Sequence, residues 1–264
     1  MGQGTVEALV AEFFAANPGV TLAALGPRDN LRALDDRPWG VRAELLPAES
    51  HAELCEQYVR LNHHAFGKLP LPRWVFSDLY LLPGAIGLLL GPATMLETEA
   101  LRASGLRERD RAILAAWVGA PSVLPGCFVG VSLMSFAHGI GAGRWVKALT
   151  LRMLRARSVR GVAQWDNPSV RVHARLGALR IVGRVPGGHE LSDRTFVYEC
   201  HLEDEHALGR ALRGDVSEPP TDRIRPDDHE ALRRILDAAE RSEHWRLIPP
   251  GRDDSGLLTF ARGP

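Results

Sequence analysis

One stretch decides the fold: Val129-Gly-Val-Ser-Leu-Met-Ser-Phe-Ala-His-Gly-Ile-Gly-Ala-Gly-Arg-Trp-Val146. Its first half predicts a buried strand, and its second half sets Gly139, Gly141 and Gly143 directly before a long amphipathic helix. Glycine lets the backbone approach a ligand closely and take positive φ angles. The helix that follows leaves its first N–H groups unpaired, with its positive dipole end towards the loop. Together these features predict a site for a phosphate anion, although a glycine-rich turn without a ligand is the alternative.

The spacing of the glycines separates three kinds of phosphate-binding loop. A dinucleotide-binding G-x-G-x-x-G motif would need glycine where Arg144 stands. A P-loop would need Gly-Lys-Ser/Thr after the glycines, which this chain lacks. The remaining pattern is Gln/Arg-x-x-Gly-x-Gly/Ala between a strand and a helix, the pyrophosphate loop of GNAT acetyltransferases. His138-Gly-Ile-Gly-Ala-Gly143 resembles this loop, with His138 where Gln or Arg is usual.

A second segment resembles the same family and follows the loop in the expected order. Within residues 164–183, Asn167-Pro-Ser169 opens a helix, Leu176-Gly177 closes it, and a strand follows. This segment departs from the family pattern twice: Ala178 replaces the usual aromatic residue, and the Asn-to-Ser spacing is one residue short. The resemblance covers residues 40–201, and its specific motifs lie within residues 129–183.

The resemblance implies acetyl-CoA as the co-substrate and no metal. In this family, two parallel strands splay apart and pantetheine pairs with the first of them, here around Ser132–Met134. The implied cofactor-binding residues are Ser132, Leu133, Met134, His138, Gly139, Ile140, Gly141, Ala142, Gly143, Arg144, Asn167 and Ser169.

Two side chains are candidates for proton transfer. The family's usual proton donor is a Tyr four residues before the closing glycine, and counting back from Gly177 places His173 there. A histidinium can protonate the leaving thiolate near neutral pH, whereas packing in the core is the alternative role. Asp166, at the end of a strand, is the candidate base acting through a water molecule, or else a helix cap. Glu97 and Glu99 are further candidates to reach the acceptor pocket, unless they lie on a solvated helix face.

Composition places the chain among ordinary globular proteins. It has 264 residues, 45% hydrophobic and 24% charged, and its 32 basic and 32 acidic residues cancel. A net charge of zero argues against a nucleic-acid partner. The three scattered cysteines, Cys55, Cys127 and Cys200, indicate neither a disulfide framework nor a metal site, so a cytoplasmic location is predicted.

Two uncharged runs, residues 79–96 and 112–137, are long enough to raise the question of a membrane span. Pro83-Gly84 and Gly91-Pro92 bracket the core of the first run, and Pro121 and Pro125 split the second. Strand-length apolar pieces between turn residues indicate buried strands better than helices. We therefore predict strands here and no membrane span.

The order of elements predicts a mixed α/β fold, and the resemblance implies the GNAT-like form of it, a central mixed β-sheet flanked by helices. Predicted strands cover 40–46, 85–90, 112–118, 127–136, 161–165, 178–185, 195–201 and 257–261, the last at a sheet edge. Predicted helices cover 5–16, 50–66 (capped by Ser50), 71–82, 97–109, 141–157, 168–176 and 228–243. Residues 1–38 are predicted as an N-terminal helical extension, 39–203 as the acyltransferase domain, and 204–264 as a linker plus a C-terminal helical arm. The linker itself is predicted at residues 212–228.

The predicted function is acetyl transfer from acetyl-CoA to the amine of a small molecule by direct attack in a ternary complex. One alternative is an enzyme of the same fold that uses a longer acyl-CoA or an acyl-carrier thioester, or decarboxylates a malonyl group. The other is a non-catalytic CoA-binding module. The C-terminal arm packs either on the main domain or on a second subunit, and the latter would make a homodimer.

Overall fold

The computed structural model describes residues 5–67, 85–137, 139–185, 194–216 and 218–263. The predicted helix at 71–82, the first part of the uncharged run 79–96 and the predicted phosphate-loop residue His138 lie outside the described residues. Contacts group the chain into two units: Glu7–Ala156, called here the first unit, and Met1–Val6 with Arg157–Pro264, called the second unit.

The first unit is built on a mixed sheet in the order β2-β1-β3-β4-β5. Strands β1 and β2 are parallel, and the other neighbours are antiparallel. The strands are β1 Thr21–Gly26, β2 Ala43–Pro47, β3 Ala85–Pro92, β4 Arg111–Pro121 and β5 Cys127–Ser135. The helices are α1 Val6–Ala16 (apart from its first residue), α2 Arg28–Arg32, α3 Ala52–Phe66, α4 Thr98–Ser104 and α5 Ala142–Met153.

Helices α3 and α5 both pack on this sheet through side chains that match its strands. On α5, Thr150 lies against Gly87 of β3, where any Cβ would overlap the threonine side chain. On α3, the buried Gln57 side chain accepts from the Ile113 amide (2.5 Å) and donates to the Arg111 carbonyl (3.3 Å) of β4. These contacts fix both helices on the strand pair that precedes β5.

The second unit is built on a sheet in the order β6-β8-β7-β10-β11-β9, in which the paired strands are antiparallel. The strands are β6 Ser158–Gln164, β7 Leu179–Gly183, β8 Thr195–His201, β9 Asp222–Ile224, β10 Trp245–Arg252 and β11 Leu258–Arg262. The helices are α6 Ser169–Ala174, α7 Glu205–Arg213 and α8 His229–Glu240.

The predicted mixed α/β class is confirmed, with helices flanking parallel and antiparallel strands. The apolar runs predicted as strands at 85–90, 112–118 and 127–136 form β3, β4 and β5. Within the ranges that the structure describes, no helix is long and apolar enough to cross a bilayer.

Four local predictions were wrong. Residues 1–38 contain a strand as well as a helix. This strand, β1, lies in the sheet between β2 and β3. Helix α3 follows His51 and has no side-chain cap, so Ser50 does not cap it. The predicted linker at 212–228 contains the end of α7 and strand β9. The strand predicted at a sheet edge, now β11, pairs with β10 on one side and with β9 on the other.

Candidate functional site

The glycine loop connects β5 to α5, as the sequence predicts. Phe136 follows β5 and is held on both sides: its amide donates to the Leu114 carbonyl (2.8 Å), and its carbonyl accepts from the Glu97 amide (3.0 Å). Gly139 (φ 82°) and Gly141 (φ 69°) then take left-handed backbone angles that disfavour any other residue. Helix α5 begins immediately after Gly141. The two glycines therefore turn the chain sharply into the helix.

Within the described part of the chain, two amides of this turn lack an acceptor, that of the exposed Gly141 and that of the buried Gly143. Those of Arg144 and Trp145 donate to the Gly141 carbonyl (3.1 and 3.4 Å), but no atom of the described residues accepts from the Gly141 or Gly143 amide. A Cβ on Gly139 would meet nothing within 4 Å, so open space lies beside the loop. Unpaired amides at a helix N-terminus, next to open space, are the arrangement that binds phosphate.

The Arg144 side chain adds positive charge to the loop. It is half-buried, and its guanidinium carbon lies 5.4 Å from the centre of the Trp145 ring. A Cβ on Gly141 would lie only 2.9 Å from its Nε, so the side chain folds back over the loop. A guanidinium beside unpaired amides strengthens the attraction for phosphate.

Strand β5 carries a bulge beside the residues predicted to pair with pantetheine. Ser132 faces Val118 of β4, but Gly130 faces Gly119, so Val131 has no partner on β4. A bulge bends a strand and re-aims its side chains, and bulges are frequent next to active sites. Ser132–Met134 follow directly after this irregularity.

Four side chains make a buried polar cluster between α3 and β5: Tyr58, Asn62, Ser132 and Met134. The Asn62 amide donates to the Met134 sulfur at 3.7 Å. Burial raises the pKa of Tyr58 to about 12, although the neighbouring Ser132 and Asn62 side chains oppose the increase. Buried polar groups are costly unless they are satisfied, so such a cluster inside an apolar core calls for an explanation.

In the second unit, His173 is on α6 and only 7% exposed. Its ring centre lies 5.1 Å from that of Tyr198 on β8, and the two ring planes make an angle of 33°. Tyr198 is itself buried, which raises its pKa, and its hydroxyl lies against Gly161 of β6, where a Cβ would be 2.5 Å away. His173 is thus packed in an aromatic setting, four residues before Gly177 as predicted.

Asp166, Asn167 and Ser169 lie on the connection from β6 to α6. The Asn167 side-chain oxygen accepts from the Ser169 amide at 2.8 Å, so Asn167 rather than Asp166 supports the start of this helix. Asp166 is exposed and lies within electrostatic reach of Arg252. The Arg252 guanidinium donates to the Trp165 carbonyl; burial lowers its pKa, and Asp166 opposes that effect.

The predicted site residues therefore form two groups. Ser132–Met134 and the described part of the glycine loop are in the first unit, whereas Asp166, Asn167, Ser169 and His173 are in the second. Tyr58 and Asn62 were not among the residues predicted from the sequence, because Tyr58 lies within the apolar stripe of α3. Their spacing of four residues, which puts both on one face of the helix, was the available signal.

The comparisons with known proteins found a solved structure that is partly similar to this chain. No protein-family model and no curated protein sequence matches the chain. A solved structure of yncA from Salmonella typhimurium, a candidate acetyltransferase with its cofactor acetyl-CoA, matches 57% of this chain and 89% of its own. The identity is 13% and the TM-score 0.39, so this likeness carries no argument about fold or function.

Proposed function

We propose that the chain is an acyl-CoA-dependent N-acyltransferase that moves an acetyl group from acetyl-CoA to the amine of a small molecule. One observation carries the proposal: the exposed, left-handed Gly139 and Gly141 lead into α5 with open space beside Gly139, with the Gly141 amide unpaired among the described residues and with the Arg144 side chain folded over the loop. A pyrophosphate group fits such a site because it needs several donors and positive charge at close range.

Acyl transfer in a ternary complex makes three demands on this chain. The amine must be neutral when it attacks the thioester carbonyl, the developing oxyanion must be stabilised, and the departing thiolate must be stabilised or protonated. His173 is proposed as the proton donor for the thiolate. Its position four residues before Gly177 supports this role, and its contact with Tyr198 fixes the ring.

Two carboxylates are proposed to help deprotonate the amine. Asp166 is exposed at the end of β6 and can act through water, but Arg252 attracts its negative charge. Glu97 is half-buried, and its amide is bonded to the Phe136 carbonyl at the entry to the glycine loop. The sequence does not show this contact, because Glu97 is far along the chain from the glycine loop. Glu97 is therefore the stronger candidate on the side of the first unit.

The proposal is tested in two steps, binding and turnover. Calorimetric titration should show that CoA binds and that adenosine without phosphates binds far more weakly, because the loop contacts the pyrophosphate. Release of CoA thiol from acetyl-CoA should then require an amine from a mixed panel. Binding without turnover for any acyl chain length would leave a CoA-binding module, and no binding of CoA would refute the proposal.

A further inference from the structure

Exposed apolar side chains concentrate on the hairpin formed by β4 and β5. Among the described residues, seven large hydrophobic side chains are strongly exposed, and four of them belong to this hairpin: Val123 (99% exposed), Leu124 (45%), Val129 (40%) and Val131 (46%). A single exposed apolar side chain is ordinary, whereas a group of them marks an interaction surface. These four side chains are called the hairpin patch.

The hairpin patch runs along one end of the hairpin. Val123 and Leu124 lie in the turn between the strands, whereas Val129 and Val131 lie on β5. At about 3.3 Å per strand residue, the four side chains span roughly 15 Å of the hairpin. Val129 is opposite the small Ala120, and Val131 has no partner on β4. Strand β4 therefore supplies no large side chain to cover either of them.

Hydrogen bonds hold the apolar tip of this hairpin in place. The Ser122 amide donates to the Cys127 carbonyl at 2.8 Å, and the Cys127 amide donates to the Leu124 carbonyl at 3.0 Å. The Leu124 amide donates to the Ser122 hydroxyl at 3.3 Å. Turns are usually built from Gly, Pro, Asn, Asp and Ser, so valine and leucine are not needed to close this one. A tip that is already ordered loses little freedom when a partner binds it.

The hairpin carries no charge, which decides between kinds of partner. Residues 112–137, which span most of β4 and the whole of β5, contain no Asp, Glu, Lys or Arg. Basic residues hold proteins on anionic lipid, and opposite charges guide two different proteins together, so the hairpin favours neither partner. A two-fold axis sets a patch against the same patch of a second copy, where any charge would meet its like. An apolar surface without charges can therefore pair with itself.

We infer that two copies of this chain associate through the hairpin patch, about a two-fold axis that brings each patch against its counterpart. Four apolar side chains are few beside the about 20–30 residues that each partner contributes to a stable interface. The dimer is therefore reversible and depends on protein concentration. The inference uses no property of the glycine loop, so it does not depend on whether the chain binds CoA.

The test is the oligomeric state of the full chain, followed by sedimentation velocity over a range of protein concentrations without CoA. The wild type should pass from monomer to dimer as its concentration rises. Val123→Glu and Val131→Glu should each raise the Kd of the dimer roughly tenfold or more, because each removes an apolar contact and sets a carboxylate near its own copy. Added sodium chloride should leave the wild-type dimer intact, since salt screens charges and not apolar contacts.

Val162→Glu is the matched control. Val162 is a strand residue of similar exposure to Val131, 52% against 46%, but it lies on β6 in the second unit. This variant should dimerise like the wild type. Val123 points almost wholly into solvent, so Val123→Glu leaves the core intact and decides the outcome even if Val131→Glu fails to fold.

Several results would overturn the inference. A wild type that stays monomeric at every concentration refutes it, and so does a dimer that survives both Val123→Glu and Val131→Glu. Dissociation by added salt, or to the same extent by Val162→Glu, would place the interface elsewhere. A monomeric wild type that binds phosphatidylcholine vesicles, and loses that binding in Val123→Glu, would assign the hairpin patch to a lipid surface instead.

Discussion

Replacing Gly139 with alanine separates the phosphate loop from the stability of the fold. The new Cβ would meet nothing within 4 Å, so it causes no clash, but the residue must keep a φ of 82°. Left-handed backbone costs a non-glycine residue about 1–2 kcal/mol. The same methyl group enters the space proposed for the pyrophosphate, where overpacking costs about 1–3 kcal/mol. Since 1.4 kcal/mol is tenfold, CoA affinity should fall roughly 10- to 100-fold.

Gly256, in the turn before β11, offers a closely matched control. Its φ is also 82°, and a Cβ there would also meet nothing within 4 Å. Gly256→Ala should therefore lose about as much stability as Gly139→Ala in denaturant unfolding, yet bind CoA like the wild type. Calorimetric titration of both variants gives the comparison. Equal CoA affinity in the two folded variants would show that the loop does not hold the pyrophosphate.

Three further changes test other parts of the structure. His173→Ala should lower kcat roughly 10²-fold in steady-state assays and change the KM for acetyl-CoA much less; an unchanged kcat would make His173 a packing residue. Gly87→Ala should cost about 1–3 kcal/mol or more in denaturant unfolding because its Cβ would overlap Thr150, and wild-type stability would contradict the packing of α5 on β3. Burial raises the pKa of Glu199, but Arg180 and Arg160 outweigh it and hold that pKa below the ordinary 4.5. Because the pKa of Glu199 is lower in the folded state than in the unfolded state, ionised Glu199 stabilises the fold at any pH above the unfolded-state pKa. That stability is lost as the pH falls through the folded-state pKa, so the midpoint of unfolding should drop in acid. The same drop in Glu199→Gln would contradict this explanation.

The elements that the sequence predicted well are those with a clear change of period. An uncharged run, three spaced glycines and a 3.6-residue pattern mark β5, the loop and α5 without knowledge of any neighbour. Strand β1, Thr21–Gly26, was missed because its five buried residues do not alternate and include alanine and glycine, which have low strand propensity. Strand β10, Trp245–Arg252, contains Pro249-Pro250-Gly251, a sequence typical of turns.

The candidate site divides in the same way. Its loop depends on local backbone angles, which glycine positions reveal, so that part could be predicted from the sequence. The polar cluster depends on the meeting of Asn62 with Met134, which are separated by 72 residues. Only the register of β3, β4 and β5 shows that Ser132 points towards α3 rather than α5. Without pairing information, Tyr58 could only be read as one more core residue.

The leaving group decides how much catalysis His173 must supply. An ordinary thiol has a pKa near 8.5, so a thiolate at neutral pH needs only modest stabilisation to leave. His173, the proposed proton donor, is 7% exposed and packed against Tyr198, so its ring is held in one place. A fall in kcat far smaller than about 10²-fold in His173→Ala would therefore mean that the thiolate takes its proton from solvent instead.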